Sequence, residues 1–303
     1  MITATGLTKT FGPITAVDAI DLSVDTGEVL GFLGPNGAGK STTLRILAGY
    51  LQPDAGTVRI DGLDITAEPI AVKKKIGYMP ETTPLYREMT TWEYLSFVAE
   101  VHGLQNPRER LQEVMDAANL EAVRHQLIGT ISKGYRSRLN FAAAIIHDPP
   151  VLLLDEPTDG LDPNQKNEIR KLIKSLSRDK AIIVSTHILE EVEAMCSRII
   201  IISEGSIVLD GSTDDLRRSI TGRRSAVLCI RTVDKPAAEA VLGCELTSLG
   251  TATGDCERFL LNLDMPPARL SEQLCAAQIP CEEFYYYDTP LDDAFRHLTR
   301  TTE

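Results

Sequence analysis

The octapeptide Gly34-Pro35-Asn36-Gly37-Ala38-Gly39-Lys40-Ser41 fits G-x-x-x-x-G-K-[ST]. It stands between an apolar strand pattern, Glu28 to Leu33, and a helical pattern, Gly39 to Leu51. No other feature narrows the fold as tightly. Glycines let backbone N–H groups turn inward on phosphate oxygens, and the helix N-terminus adds partial positive charge. In this strand–loop–helix context the segment reads as a P-loop. Lys40 would reach the β- and γ-phosphates of a nucleotide and the Ser41 hydroxyl would ligate Mg²⁺. Gly34, Pro35, Asn36, Gly37, Ala38, Gly39, Lys40, Ser41 and Thr42 are the candidate nucleotide-binding residues.

The surrounding pattern fits an α/β domain. Short Val/Ile/Leu runs at Ile2 to Thr5, Ile76 to Met79, Val151 to Asp155, Ala181 to Ser185, Arg198 to Ile202 and Ile207 to Leu209 suit a mainly parallel sheet covered on both faces. Helical patterns at Pro163 to Ser177 and Leu189 to Cys196 alternate with them. From about residue 82 to 135 strand signals nearly vanish. Thr90 and Glu93 form a capping box for a helix reaching about His102, with Trp92, Leu95 and Val98 or Ala99 on one side. A second helix is expected from Pro107 to Asn119, making a helical insertion. Residues 1–220 are read as one domain and Thr221 to Arg224 as a linker. Residues 225–303 are read as a small α+β domain. Its expected order is strand Ala226 to Arg231, helix Pro236 to Leu242, strands Glu245 to Gly250 and Arg258 to Leu263, helix Pro267 to Gln278, strand Glu282 to Asp288, and a closing helix Leu291 to Thr299. Strand–helix–strand–strand–helix–strand is the ferredoxin-like order.

Val151-Leu-Leu-Leu-Asp155-Glu156 is a buried strand ending in two carboxylates. Ligands of open α/β sheets sit at the carboxyl ends of strands. Asp155 suits the Mg²⁺ side of an NTPase site, and Glu156 can orient or deprotonate an attacking water. His187 ends an apolar strand after Ser185-Thr186 and is a second catalytic candidate.

Three further segments narrow the class. They are Ile131-Ser132-Lys133-Gly134-Tyr135-Arg136, Gly160-Leu161-Asp162-Pro163, and Ser185-Thr186-His187. Together with the two preceding motifs, over about Ile2 to Leu216, the chain resembles the nucleotide-binding subunits of ABC transporters. It is similar to the multidrug, nitrous-oxide-maturation and gliding-motility exporter type. The resemblance implies a P-loop NTPase domain of ABC type that hydrolyses ATP with Mg²⁺. Ser132 and Gly134 would be the signature residues, Asp162 would belong to the D-loop, and His187 would be the switch histidine. Phe11 would stack on adenine. A second copy would complete each ATP site head to tail. The partner in the membrane would be a separate permease, with this subunit peripheral on its cytoplasmic face.

Two departures stand out. Ile131, Lys133 and Tyr135 replace three positions of the usual Leu-Ser-Gly-Gly-Gln. Glu81, after Ile76-Gly-Tyr-Met-Pro80, stands where the family has a glutamine. A carboxylate there can still ligate Mg²⁺ but cannot donate a hydrogen bond when ionised.

Composition excludes other classes. Net charge is −12 with a pI near 5.0, against a nucleic-acid partner. From Ser225 onward 13 acidic and 6 basic residues concentrate the charge in the small domain. No run of 18 apolar residues occurs, so no segment reads as a membrane span. The N-terminus lacks a signal-peptide layout. The six cysteines show no C-x-x-C spacing and read as free, buried thiols. Lys73 to Lys75 reads as a solvated helix end. A soluble ABC ATPase in a non-transport process such as translation or DNA repair is the alternative. A P-loop kinase or GTPase-like switch leaves the signature and D-loop segments unexplained, and no N-K-x-D is present.

Overall fold

The computed structural model describes residues 1–216, 224–252, 255–263 and 267–286, with isolated positions 295, 298 and 299. The chain divides into two compact units, Met1–Ser212 and Thr213–Glu303.

The first unit is built on a six-stranded sheet of β3 (Val29–Leu33), β6 (Ile76–Met79), β7 (Val151–Asp155), β8 (Ala181–Thr186), β9 (Arg198–Ser203) and β10 (Ser206–Gly211), ordered β10-β9-β3-β8-β7-β6. All neighbours are parallel except the β9–β10 hairpin. Every residue of β3, β7 and β8 is buried, as continuous apolar strands require. Strand alternation sends Val151 and Leu153 to one core, with Leu44 and Leu47 of α1 (Lys40–Leu47). It sends Leu152 and Leu154 to the other, with Leu139, Ala142 and Ile145 of α5 (Lys133–Ile145).

That second core also takes in the helical insertion, α3 (Thr91–Val101) and α4 (Arg108–Ala117). The capping box at α3 is formed as expected: Thr90 N–H donates to Glu93 Oε2 at 2.8 Å, and Glu93 N–H donates to Thr90 Oγ1 at 3.3 Å. Leu95 and Ala99 are buried, while Trp92 and Val98 pack on their flank.

The sequence pattern underestimates the N-terminal region. A second sheet, ordered β2-β1-β4-β5, consists of β1 (Ile2–Phe11), β2 (Ile14–Val24), β4 (Ala55–Ile60) and β5 (Leu63–Asp64), all antiparallel. Only Ile2 to Thr5 was legible as strand. The reason is that register shifts interrupt β1 against both neighbours, and Ala19 of β2 sits at φ 46°. Each bulge shifts the in–out alternation by one residue. The short α2 (Pro69–Lys73) leads into β6, α6 (Pro163–Leu176) follows β7 and α7 (Leu189–Met195) follows β8. Helix ends fall one to four residues short of the sequence expectation, as for α1, which ends at Leu47 rather than Leu51.

In the second unit, β11 (Arg224–Arg231), α8 (Lys235–Leu242), β12 (Thr247–Thr251), β13 (Cys256–Leu263), α9 (Pro267–Ala276) and β14 (Cys281–Tyr286) follow one another. The sheet is ordered β12-β13-β11-β14 with every neighbour antiparallel. Ala226, Leu228, Ile230, Phe259 and Leu261 pack with Leu242, Leu270 and Leu274 of the helices. Most of the expected linker and of the closing helix Leu291 to Thr299 lies outside the described residues. The six cysteines are free thiols, but Cys275 and Cys281 are exposed rather than buried. Cys275 lies on the amphipathic α9, and Cys281 opens an edge strand, where burial is incomplete. Among the described residues no helix is long and apolar enough to cross a membrane.

Leu153 is fully buried on β7, an interior strand of the sheet. Leu153→Ala removes apolar contacts and leaves a cavity, so urea denaturation is expected to show a loss of about 2–5 kcal/mol.

Candidate functional site

Parallel register assembles the site. Leu33 pairs with Thr186, Asp155 with Ser185, and Met79 with Leu154. The carboxyl ends of β3, β8, β7 and β6 therefore deliver the P-loop, His187, the Asp155–Glu156 pair and Glu81 to one rim. Asp155 shares the face of Val151 and Leu153, on which α1 packs, so it meets Ser41 near the start of that helix. Ser41 Oγ donates to Asp155 Oδ1 at 3.2 Å, and Ser185 Oγ donates to the same oxygen at 2.5 Å. Asp155 is 1% exposed. Its Oδ2 is buried with no hydrogen-bond partner.

A cleft of about 440 Å³ opens here, lined by Ala16, Asn36, Gly37, Gly39, Lys40, Ser41, Thr42, Glu81, Glu156, Asp159 and His187. Lys40 is buried, its Nζ donating to the carbonyl oxygens of Gly34 at 2.7 Å and Pro35 at 3.1 Å. Burial draws the Lys40 ammonium below its ordinary pKa, opposed by the carboxylates of Glu156, Asp155 and Glu81. The loop tolerates nothing larger than glycine at two points. A Cβ at Gly34 would stand 2.5 Å from the Ile202 carbonyl oxygen, and one at Gly39 would stand 2.3 Å from that of Ala16, with φ at +109°.

Glu156 adopts φ 50°, a left-handed conformation that costs a non-glycine residue about 1–3 kcal/mol. Its N–H is held by Ser185, through the carbonyl at 3.1 Å and Oγ at 3.2 Å. Its carboxylate faces His187 Nδ1, at 3.0 Å from Oε1 and 3.1 Å from Oε2. Burial raises the Glu156 pKa, while His187 and Lys40 pull it down.

Several sequence candidates stand away from the cleft lining. Gly34, Pro35 and Ala38 form the back of the loop, where the first two carbonyls hold Lys40. Phe11 ends β1, is 49% exposed, and has Lys9 Nζ at 5.7 Å from its ring centroid. Ser132 caps α5, accepting the Tyr135 N–H at 3.3 Å. Gly134 is packed so closely that a Cβ would lie 2.4 Å from Gln165 Oε1. Asp162 caps α6, its Oδ1 accepting from the N–H groups of Asn164 and Gln165 at 3.0 Å. Three site residues lack a sequence signal of their own. Ala16 lies on a strand hidden by bulges, and Ser185 gains its contacts to Asp155 and Glu156 from the register of β8 against β7. Asp159 lines the cleft and ion-pairs with Lys133 Nζ at 2.9 Å.

The family model described as ABC transporter matches residues 17–159. The daunorubicin/doxorubicin resistance ATP-binding protein DrrA of Streptomyces peucetius is 35% identical over 306 residues, covering 98% of this chain and 92% of the relative. The chain belongs to the ATP-binding proteins of ABC transporters. The ABC transporter ATP-binding protein NatA of Bacillus subtilis is 37% identical over 227 residues, 72% of this chain and 92% of its own. Among solved structures, an ATP-binding subunit of an ABC transporter superimposes with a TM-score of 0.68 at 29% identity, covering 73% of this chain and 93% of that one. A dimeric ATP-binding cassette in a post-hydrolysis state, bound to ADP and Pi, gives 0.65 at 27% identity, covering 70% and 98%. Like its relatives, this ABC protein is an exporter-type ATPase with the α/β fold of the cassette.

The raised Glu156 pKa fixes the sign of a pH effect in the nucleotide-free protein. Below its unfolded-state pKa the carboxyl is neutral in both states. As pH rises through the folded-state value, stability is lost because the buried group must ionise. Glu156→Gln stays neutral throughout. Its melting temperature is therefore expected to gain on that of wild type between pH 4 and pH 7.5 in paired calorimetric scans.

Proposed function

We propose that this chain energises an ABC exporter through a head-to-tail dimer that closes on two ATP molecules and couples to separate membrane-spanning permease subunits. The observation that carries this reading is the separation of the two halves of the chemistry within one copy. Lys40, Ser41, Glu156 and His187 share a cleft, whereas Ser132 and Gly134 do not line it. Ser132 offers a hydroxyl and Gly134 an N–H, groups suited to a γ-phosphate, and a second copy's cleft is where they find one. An isologous dimer builds both composite sites at once. The dimeric cassette bound to ADP and Pi supports that arrangement. The full-length similarity to DrrA favours export of a drug-like small molecule.

In the proposed site Lys40 leaves the Gly34 and Pro35 carbonyls for the β- and γ-phosphates, and the loop N–H groups of Gly37 to Thr42 cradle their oxygens. The residues present fit Mg²⁺: Asp155 Oδ2 is a buried acceptor without a donor, the Ser41 hydroxyl adjoins the same carboxylate, and Glu81 faces the cleft. When bound there, the ion supplies charge neutralisation to the phosphates. Glu156 accepts a proton from the attacking water, a role helped by burial that moves its pKa toward the working pH. His187 holds the Glu156 carboxylate in place. Phe11, exposed at the end of β1, is assigned to adenine, and Asp162 to the dimer-facing loop that starts α6. The helical insertion and the Glu81 segment pass closure to the permease. The subunit is placed peripherally on the cytoplasmic face of the membrane. The antiparallel order β12-β13-β11-β14 supports a ferredoxin-like reading of the C-terminal unit, with the domains at 1–220 and 225–303.

Removing the general base in Glu156→Gln is expected to slow hydrolysis by about 10²- to 10⁴-fold. ATP binding should survive, and gel filtration with ATP should show the dimer accumulating. A variant that binds ATP but stays monomeric would contradict the sandwich.

Ser132→Arg and Lys40→Ala subunits are each expected to be inactive alone. Mixed, they form heterodimers in which one site carries both lesions and the other neither. ATPase activity should partly return, peaking near equal amounts; a flat zero at every ratio would rule out independent composite sites.

A further inference from the structure

Among the described residues, Asp155 and Glu191 are the buried acids. Asp155 belongs to the cleft. Glu191, in α7, is 0% exposed and has no part in the chemistry described above. A carboxylate taken out of water is costly unless its oxygens are paired and hydrogen-bonded. Oε2 of Glu191 accepts from Thr186 Oγ1 at 3.0 Å, and Oε1 accepts from Lys166 Nζ at 2.9 Å. Thr186 is itself fully buried, and its Oγ1 accepts the Ile188 N–H at 3.1 Å. The two residues that flank His187 are therefore tied to one carboxylate. Strand alternation separates this network from the cleft. Ser185 faces Asp155, whereas Thr186 shares the face of Ile182 and Val184, whose core also holds Ile169 and Ile173 of α6 and Met195 of α7. On the other side of the ion pair, the Lys166 N–H donates to the Asp162 carbonyl at 2.9 Å. The adjacent Gln165 is the side chain that a Cβ at Gly134 would meet at 2.4 Å. The first turn of α6 thus touches the signature segment through Gln165 and Glu191 through Lys166. A second α6–α7 pair, Arg170 Nη1 with Glu190 Oε1 at 3.6 Å, lies outside the core, with Glu190 81% exposed.

We propose that Glu191 is a positioning residue for His187: it fixes the backbone on both sides of the histidine and, through Lys166, takes its own place from α6. The inference rests on the proposed role of His187 in holding the Glu156 carboxylate, and adds what aims the imidazole. The His187 side chain is 48% exposed, so packing does little to orient it. Its direction comes from the backbone, which the Thr186 hydroxyl and the Ile188 N–H hold to the Glu191 network. A charge-assisted network in a dry core is stiff, and a displacement of about 1 Å from productive geometry costs about a hundredfold in rate. Successive residues of β8 then divide the work. Ser185 holds the Glu156 N–H, and Thr186 holds the bearing of His187 on the same carboxylate. Lys166 makes that bearing depend on α6, so a shift of the turn that carries Asp162 and meets Gly134 reaches the imidazole.

The test measures ATP hydrolysis by the full chain against ATP concentration, with radiolabelled ATP so that slow variants are read. Glu191→Ala is expected to lower kcat by about ten- to a hundredfold while KM for ATP stays within about twofold, because the phosphate loop is untouched. Glu191→Gln, which keeps an acceptor for Thr186 but loses the charge facing Lys166, should lose less. Lys166→Met should lower kcat, and Lys166→Arg, which keeps the ion pair, should retain most of it. Glu190→Gln breaks the exposed pair between the same helices and should leave the rate unchanged. The deciding measurement repeats Glu191→Ala in a His187→Ala background. With the imidazole gone there is nothing left to aim, so the second substitution should change kcat by less than about twofold. An equal loss with and without His187, or no loss of kcat in Glu191→Ala, overturns the positioning role. Should Glu191→Ala fail to fold in thermal scans, Thr186→Val removes the same link at nearly constant volume and is judged by the same comparison. Unaltered kcat in Lys166→Met overturns the link to α6. A His187→Ala protein that hydrolyses ATP at the wild-type rate overturns the role of His187 itself, a result distinct from the others.

Discussion

Asp155 is an ionisable group with 1% exposure at the end of a fully buried strand, and the site is organised around it. A carboxylate in that position is costly unless donors surround it. Two hydroxyls, from Ser41 and Ser185, converge on one oxygen and leave the other without a donor. That arrangement ties the P-loop helix to the neighbouring strand and keeps an acceptor ready. The pleat fixes which face Asp155 occupies, and the parallel register fixes which residue stands beside it. A slip of one residue would turn the carboxylate toward the opposite core and separate it from Ser41.

Strain and electrostatics concentrate around the same point. Glu156 is held at positive φ by two contacts from Ser185, so the conformation that aims its carboxylate is imposed by the adjacent strand. Burial and pairing work against each other on Lys40 and on Glu156, whose carboxylate also meets His187 Nδ1.

Away from the cleft, the helical insertion serves two surfaces. Its buried side, Leu95 and Ala99 with α5, anchors it to the sheet. Its outer side, at Val98, borders a basic groove of about 630 Å³ lined also by Arg45, Lys73, His102 and His147, and the Pro80–Pro84 segment connects that groove to Glu81 in the cleft. The Lys133–Asp159 ion pair makes a second link, from the start of α5 to the loop behind Glu156. Both pair members are more than half exposed, so the link is worth about 0–1 kcal/mol and orients more than it stabilises.

The local motifs were legible in the sequence because their chemistry is local. A glycine-rich turn before a helix, an apolar strand ending in two acids, and a capping box are each defined by neighbours along the chain, and these gave the P-loop, Asp155 with Glu156, and α3. The antiparallel N-terminal sheet was only partly legible, because bulges at Ala19 and along β1 break the period on which strand reading depends. Ser185, Ala16 and Asp159 acquire their roles from register and from the approach of distant segments, which no spacing encodes. The same holds for the basic groove: Arg45, Lys73, His102 and His147 are scattered over about a hundred residues and read singly as surface or core positions. By itself the sequence determined the nucleotide chemistry and the strand ends that carry it. Tertiary structure alone decided which side chains flank Asp155, how Glu156 is strained toward His187, and where positive charge gathers on an acidic protein, because each depends on packing between elements rather than on order along the chain.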